Sequence, residues 1–423
     1  LNSWKFKEVI MLNVGSILKY YRMKNDMTQA ELCEGICSIS HLSKIESNKY
    51  VPHVETMDEL FKRMDIEWEQ EIDTYAYWKE KLETFIMHSV YYDLKSMEQA
   101  YKELSSQEDY LQSTDLVNRY ELYKLRFYLF KQDMPRATQQ VSILKRMESS
   151  FTDYEKGVSK VIHLMYDIFS QNFEEAEEQL KKIDENRERI PYMFEGELFY
   201  QKAYLLHGRT QYGKSTYYAE LAVDHFRKDC NYIRLLHAQL LLAINYTNRD
   251  FILQAEGLFK IILRNAKMME FDQLYQGALY NYSELQNRRG LHKSAYALLK
   301  ELKSLIGPGT DYYQAVLIHL LHTATEENME MDSLIDELDV IVERKKDPYL
   351  RMLGTYFRKA KISQQELFDY CEETAFPFLV KHGYIREARS MAWKLANYYR
   401  TIGNDGQADK YSLYYFIKGD EEP

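Results

Sequence analysis

The chain is poor in residues that break or staple secondary structure: of 423 residues only 7 are proline, 16 glycine and 4 cysteine. With so few turn formers an all-β sandwich or barrel is excluded. Cys33, Cys37, Cys230 and Cys371 are too few and too scattered for a disulfide scaffold or a zinc site, so no metal is expected and a reducing compartment is. No run of 18 apolar residues occurs, and Leu1 to Gly15, with Lys5, Lys7 and Glu8, lacks the apolar core and cleavage site of a secretory signal. The expectation is a soluble, cytoplasmic protein with no membrane contact, whose start is Leu1 or Met11.

What is present is globular in balance, 45% hydrophobic and 28% charged, and too long for one ordinary core. The net charge of −10 is unevenly spread: residues 1–54 hold seven basic and five acidic residues, and the remainder holds 48 against 60. This asymmetry suggests a small basic unit on a larger acidic body.

In the N-terminal unit, apolar residues at 14, 17, 18 and 21 have the spacing of an amphipathic helix. Thr28 with Glu31 forms a capping-box signature for a second helix, and Ser38 can cap a third that buries Leu42 and Ile45. Two short helices joined at Gly35-Ile36-Cys37, the second with a small polar outer face, suit a major groove. Thr28-Gln29-Ala30-Glu31-Leu32 followed by Ser40-His41-Leu42-Ser43-Lys44-Ile45-Glu46 resembles the helix-turn-helix of phage repressors of the Xre/Cro type. The resemblance implies that Gln29 contacts a phosphate and that Ser38, Ile39, Ser40, Ser43 and Lys44 face DNA. It also implies an internal ion pair between Arg22 and Glu46. Ile39 departs from the usual polar reader and suits a thymine methyl.

The body repeats. Ala137/Val141/Leu144, Ala176/Leu180/Ile183, Ser215/Ala219/Ala222, Ala255/Phe259/Ile262, Ala295/Leu299/Leu302 and Leu334/Leu338/Ile341 share one spacing, with anchors 39, 39, 40, 40 and 39 residues apart. The pattern extends upstream to Ala100, blurs near Leu367 and closes at Ala408. Stacked helix hairpins of this period bury faces that one hairpin leaves bare, and their first helices line a concave surface. The expected fold is all-α: a helix-turn-helix domain, then a right-handed α-solenoid of about nine tetratricopeptide-like repeats, HEAT-like repeats being the alternative. The boundaries are an N-terminal extension at 1–12, the helix-turn-helix at 13–67, a linker at 68–75 and the repeats at 76–418. Most of the 37 tyrosines are explained by packing between helices.

Gly208 to Ser215 spells the phosphate-loop pattern G-x4-G-K-S, but it falls on a turn of the repeat with no strand before it, so nucleotide chemistry is not expected. His319 and His322 lack a third ligand at a zinc-enzyme spacing. Neither an enzyme nor a cofactor is expected.

A repressor-type head on such repeats resembles the RNPP family of peptide-responsive quorum-sensing regulators. The resemblance implies a cytoplasmic transcription factor and homo-oligomer that binds paired half-sites in double-stranded DNA under control of a short re-imported peptide. It also implies groove asparagines that clamp peptide backbone, for which Asn245, Asn281 and Asn397 are the candidates, each followed by Tyr. Arg126 and Tyr204 lie eleven residues before their anchors, the same offset as Asn397, so both should face the groove; Arg126 would pair with a peptide carboxylate. The alternative is sequestration of a phosphorelay response regulator, as resemblance to the related Rap proteins implies.

Overall fold

The computed structural model describes residues 14–185, 189–327 and 329–417, all of whose regular structure is helical. The expected extension at 1–12 lies outside them. The chain divides into two compact units, residues 1–249 and 250–423.

Unit 1 begins with four short helices: α1 (Val14–Lys24), α2 (Gln29–Cys33), α3 (Ile39–Glu46) and α4 (Val54–Lys62). Their apolar stripes meet in a core of Ile17, Leu18, Leu32, Leu42, Ile45, Leu60 and Phe61, each 2% exposed or less. Burial of each such side chain contributes about 1.5–3 kcal/mol. The capping box forms as the sequence suggests, with Thr28 accepting from the Glu31 amide and Glu31 returning the bond.

Helix hairpins follow: α5 (Trp68–Val90) with α6 (Leu94–Ser105), a single turn α7 (Glu108–Gln112), then α8 (Val117–Phe130) with α9 (Met134–Met147). Next come α10 (Asp153–Phe169) with α11 (Phe173–Glu185), α12 (Tyr192–Gly208) with α13 (Tyr212–Lys228), and α14 (Tyr232–Asn248). Residues 68–75, expected to be a linker, are instead the first two turns of α5, whose Ile72 and Tyr75 are buried.

Unit 2 holds α15 (Ile252–Met268), α16 (Asp272–Arg288) with α17 (His292–Leu305), α18 (Asp311–Glu326) with α19 (Asp332–Lys345), and α20 (Pro348–Ile362). It ends with α21 (Gln364–Tyr370), α22 (Phe376–Lys381), α23 (Ile385–Thr401) and α24 (Asp405–Ile417). A π-helical turn, Cys371–Ala375, joins α21 to α22. The extra residue per turn shifts the phase of the helix downstream of it.

The anchors Ala137, Ala176, Ser215 and Ala295 are fully buried, each on the second helix of its pair where a larger side chain would hold the hairpin open, and Ala255 of α15 is buried as well. The turns repeat as well. Tyr92, Gln132, Gln171, Thr210, Asp250 and Gly290 all take left-handed backbone with φ between 56° and 71°, at intervals of 40, 39, 39, 40 and 40. The amide of the next residue then closes the helix end, as in Asp133 N to Tyr128 O (2.9 Å) and Gln211 N to Leu206 O (2.9 Å). The solenoid is therefore written in turn geometry even where glycine is missing.

Candidate nucleic-acid interface and repeat interior

Three contacts fix the head. Gly15 sits where α1 meets the end of α3: a Cβ there would overlap the carbonyl of Ile45, and its N–H donates to Asn48 Oδ1 at 3.0 Å. Arg22 donates through Nε to Glu46 Oε1 (2.6 Å) and through Nη2 to Oε2 (3.1 Å), and the bond to Glu46 raises the guanidinium's affinity for its proton. Arg63 donates to the carbonyls of Glu34, Leu32 and Glu31, closing the C-terminal end of α2.

On this frame Ser38, Ile39, Ser40, Ser43 and Lys44 form one exposed face on α3, Ile39 being 52% exposed. Ser38 caps the helix, its Oγ accepting from His41 N at 3.2 Å. Gln29 opens α2 beside them and donates to Glu46 Oε2 at 2.8 Å, so the ion pair positions the expected phosphate contact. Gly15, Asn48 and Arg63 escaped sequence reasoning, because close approach and carbonyl capping leave no pattern within one element.

The head rests on the repeats through a buried carboxylate. Glu71 of α5, 3% exposed, accepts from Tyr21 Oη of α1 (2.7 Å) and Tyr110 Oη of α7 (2.6 Å). Burial raises its pKa, against the two phenols and Lys24. Tyr20 packs edge-on against Tyr110 at 5.8 Å. A cleft of about 850 Å³ opens beside this seam, lined by Ser16, Tyr75, Lys79, Asp115, Arg119 and Tyr154 among others.

The expected peptide contacts divide by burial. Tyr204 is 46% exposed in unit 1. In unit 2, Asn397 is exposed, while Asn281 is half-buried and donates to Gly277 O within its own helix at 2.8 Å. Two positions are corrected. Asn245 does not line an open surface: it is fully buried, contacts His207 Nδ1 at 2.8 Å and donates to Ser215 Oγ at 2.7 Å, tying α12, α13 and α14 together. Asn245 lies ten residues before Ala255, one short of the offset of eleven shared by Arg126, Tyr204 and Asn397, and one residue is about 100° of helix, which turns its side chain between the hairpins. Arg126 is 1% exposed and already has a carboxylate, donating through Nη2 to Glu197 Oε2 at 3.1 Å.

Glu197 also accepts from Arg234 Nη2 (2.7 Å) and Gln201 Nε2 (2.7 Å). Burial would raise its carboxyl pKa, but Arg234 and Arg126 overcome that and hold it below the usual range. Burial, with repulsion from Arg234, lowers that of Arg126 in spite of Glu197. Glu197 and Arg234 lie 71 and 108 residues beyond Arg126, so spacing in one sequence does not connect them. The phosphate-loop letters likewise resolve into packing: Ser215 is buried in α13 and donates to Ala203 O at 2.6 Å. No cluster of metal-ligating side chains occurs among the described residues.

Residues 18–70 match the family described as a helix-turn-helix. Over 409 residues, 92% of this chain and 99% of the relative, the sequence is 22% identical to "Transcriptional activator NprA" of Geobacillus stearothermophilus. Among solved structures, the apo form of the quorum sensor NprR from B. thuringiensis aligns with a TM-score of 0.62 at 16% identity, covering 81% of this chain and 98% of that one. In sequence and fold the chain resembles the RNPP regulators. A second NprR structure, with its cognate peptide NprX, aligns with a TM-score of 0.53 at 16% identity, covering 81% of this chain and 99% of that one. "Regulatory protein RapD" of Bacillus subtilis (strain 168) is 25% identical over 176 residues, 41% of this chain and half of RapD. The fold is therefore all-α, a helix-turn-helix followed by solenoid-type helix pairs. Among the described residues no helix is long and apolar enough to cross a membrane.

Proposed function

We propose that this chain is a cytoplasmic transcriptional regulator that binds paired half-sites in double-stranded DNA through the α3 face and a short signalling peptide through its repeats. Peptide binding resets the pairing of chains in a homo-oligomer, and with it the distance between two heads and their fit to spaced half-sites. One observation carries the reading: an exposed recognition face stands in the same chain as repeats that, with the head, align along 99% of a named transcriptional activator. The quorum sensor NprR, known with its peptide, supports the peptide part. The chain is not an enzyme.

In this reading Gln29 holds a phosphate, and Ser38, Ile39, Ser40, Ser43 and Lys44 meet bases or backbone. Tyr204, Asn281 and Asn397 contact peptide. The test is selection and sequencing of genomic fragments bound by the purified chain, with and without short peptides encoded beside its gene. Paired half-sites enriched in one arm and lost with Lys44→Glu or Ser40→Glu support the reading; no enrichment in either arm rejects it. The match to RapD favours a second activity, sequestration of a phosphorelay response regulator by the peptide-free repeats, which co-purification with and without peptide would test.

A further inference from the structure

Stacked repeats bind their neighbours, so a contact between the first hairpin and α14 is not required by stacking. Yet Asn231, 3% exposed at the start of α14, donates from Nδ2 to Val90 O at 2.9 Å, across 141 residues. Two residues on, in the turn between α5 and α6, the Tyr92 ring lies 4.5 Å from Phe130 and 4.9 Å from His237, with the Arg234 guanidinium 5.5 Å away. Tyr92 holds this place with φ at 61°, a left-handed conformation costly for a tyrosine. The equivalent turn residues of the next three hairpins are Gln132, Gln171 and Thr210. The aromatic is special to the first turn.

Behind Tyr92 lies a surplus of charge. Arg126 and Arg234, on the first helices α8 and α14, share the single carboxylate Glu197, and the Nε of each arginine has no hydrogen-bond partner. A buried cluster with one positive charge too many is costly and disposed to accept a further acceptor. The main-chain carbonyl that Asn231 holds is the group an extended peptide would offer it.

We propose that residues 90–93 are an intramolecular stopper: the Val90 carbonyl and the Tyr92 ring occupy the inner face of unit 1 against α14, and a ligand enters by displacing them. The stopper is a property of the peptide-free chain. Its role as a gate rests on the peptide-receptor reading above.

The test is hydrogen–deuterium exchange of the full-length chain without peptide. Tyr92→Gly removes the ring while giving the turn the residue its φ favours, so the hairpin should fold; Gln132→Gly and Gln171→Gly repeat the backbone change at turns that do not carry the aromatic. The expected result is exchange at residues 232–238 at least tenfold faster in Tyr92→Gly, and within twofold of the parent in both controls. Asn231→Ala should accelerate exchange at residues 90–93 in the same way. Exchange within twofold of the parent in both Tyr92→Gly and Asn231→Ala would overturn the stopper. In a second arm, a pool of short acidic synthetic peptides should associate about tenfold faster with Tyr92→Gly than with the parent. Equal association rates in an opened variant overturn the gate, and absence of binding to either chain overturns the receptor reading while leaving the exchange result to judge the stopper.

Discussion

A single hydrogen atom decides whether the head can close. The side chain of Gly15 must be no more than that, because α1 passes directly over the Ile45 carbonyl. Gly15→Ala is expected to cost the head about 3 kcal/mol or more, since the obstruction is backbone and cannot rotate away. Loss of helical signal and of the lowest thermal transition would record it. Glu46, 7% exposed, neutralises Arg22 and orients Gln29. Glu46→Ala strands the guanidinium and should destabilise the head by about 3–5 kcal/mol; a urea midpoint unchanged from the parent would contradict this. These roles were legible in unequal measure. Glu46 and its partner Arg22, two helices earlier, both stand at recognisable motif positions, whereas nothing in the neighbourhood of Gly15 announces the approach of residue 45. Arg126 shows the same limit: its offset from Ala137 placed it on a first helix, but burial depends on Glu197 and Arg234, which the local pattern does not contain.

At the scale of elements, the hairpins were readable because each second helix needs a small or apolar residue at the same step, a demand that leaves a period in the sequence. The interval of 39 or 40 recurs in the left-handed turn residues, yet those are Tyr, Gln, Gln, Thr, Asp and Gly. Backbone geometry is conserved there without a common side chain, so the turns themselves were invisible. The seam between head and repeats was equally hidden, because it joins α1, α5 and α7 through Tyr21, Glu71 and Tyr110. Replacing both phenols, Tyr21→Phe with Tyr110→Phe, leaves a buried carboxylate without those donors. The expected cost is about 2–4 kcal/mol, with proteolytic cleavage between head and body faster than in the parent. Glu71→Gln in the same background should recover part of that loss by removing the charge.

At the scale of the whole molecule, each unit carries a histidine that folds without its proton. Burial, with Arg234 nearby, pushes His237 in unit 1 down to about 3, and burial, with Lys394 nearby, does the same to His322 in unit 2. The ordinary value is 6.5, so between 6.5 and about 3 the unfolded chain binds protons that the folded chain refuses. Stability is then full above pH 6.5 and falls on acidification, by up to about 1.4 kcal/mol per pH unit for each histidine. Denaturant midpoints measured from about pH 7 to about pH 4 should fall for both units. In His322→Phe, whose ring can keep the packing against Phe357, the slope of unit 2 alone should flatten. An unchanged slope would mean that other groups carry the acid response.

The bond from Asn231 to Val90 has a last consequence, for how unit 1 comes apart. An open stack of repeats can lose its ends one at a time, its free energy being nearly a sum over neighbours. A stack whose first turn is fastened to its fifth first-helix is a closed circuit, and no hairpin inside it can leave without breaking two boundaries at once. Residues 68–249 should therefore unfold as one cooperative block, and cutting the circuit at Tyr92 should turn a single transition into a fraying series.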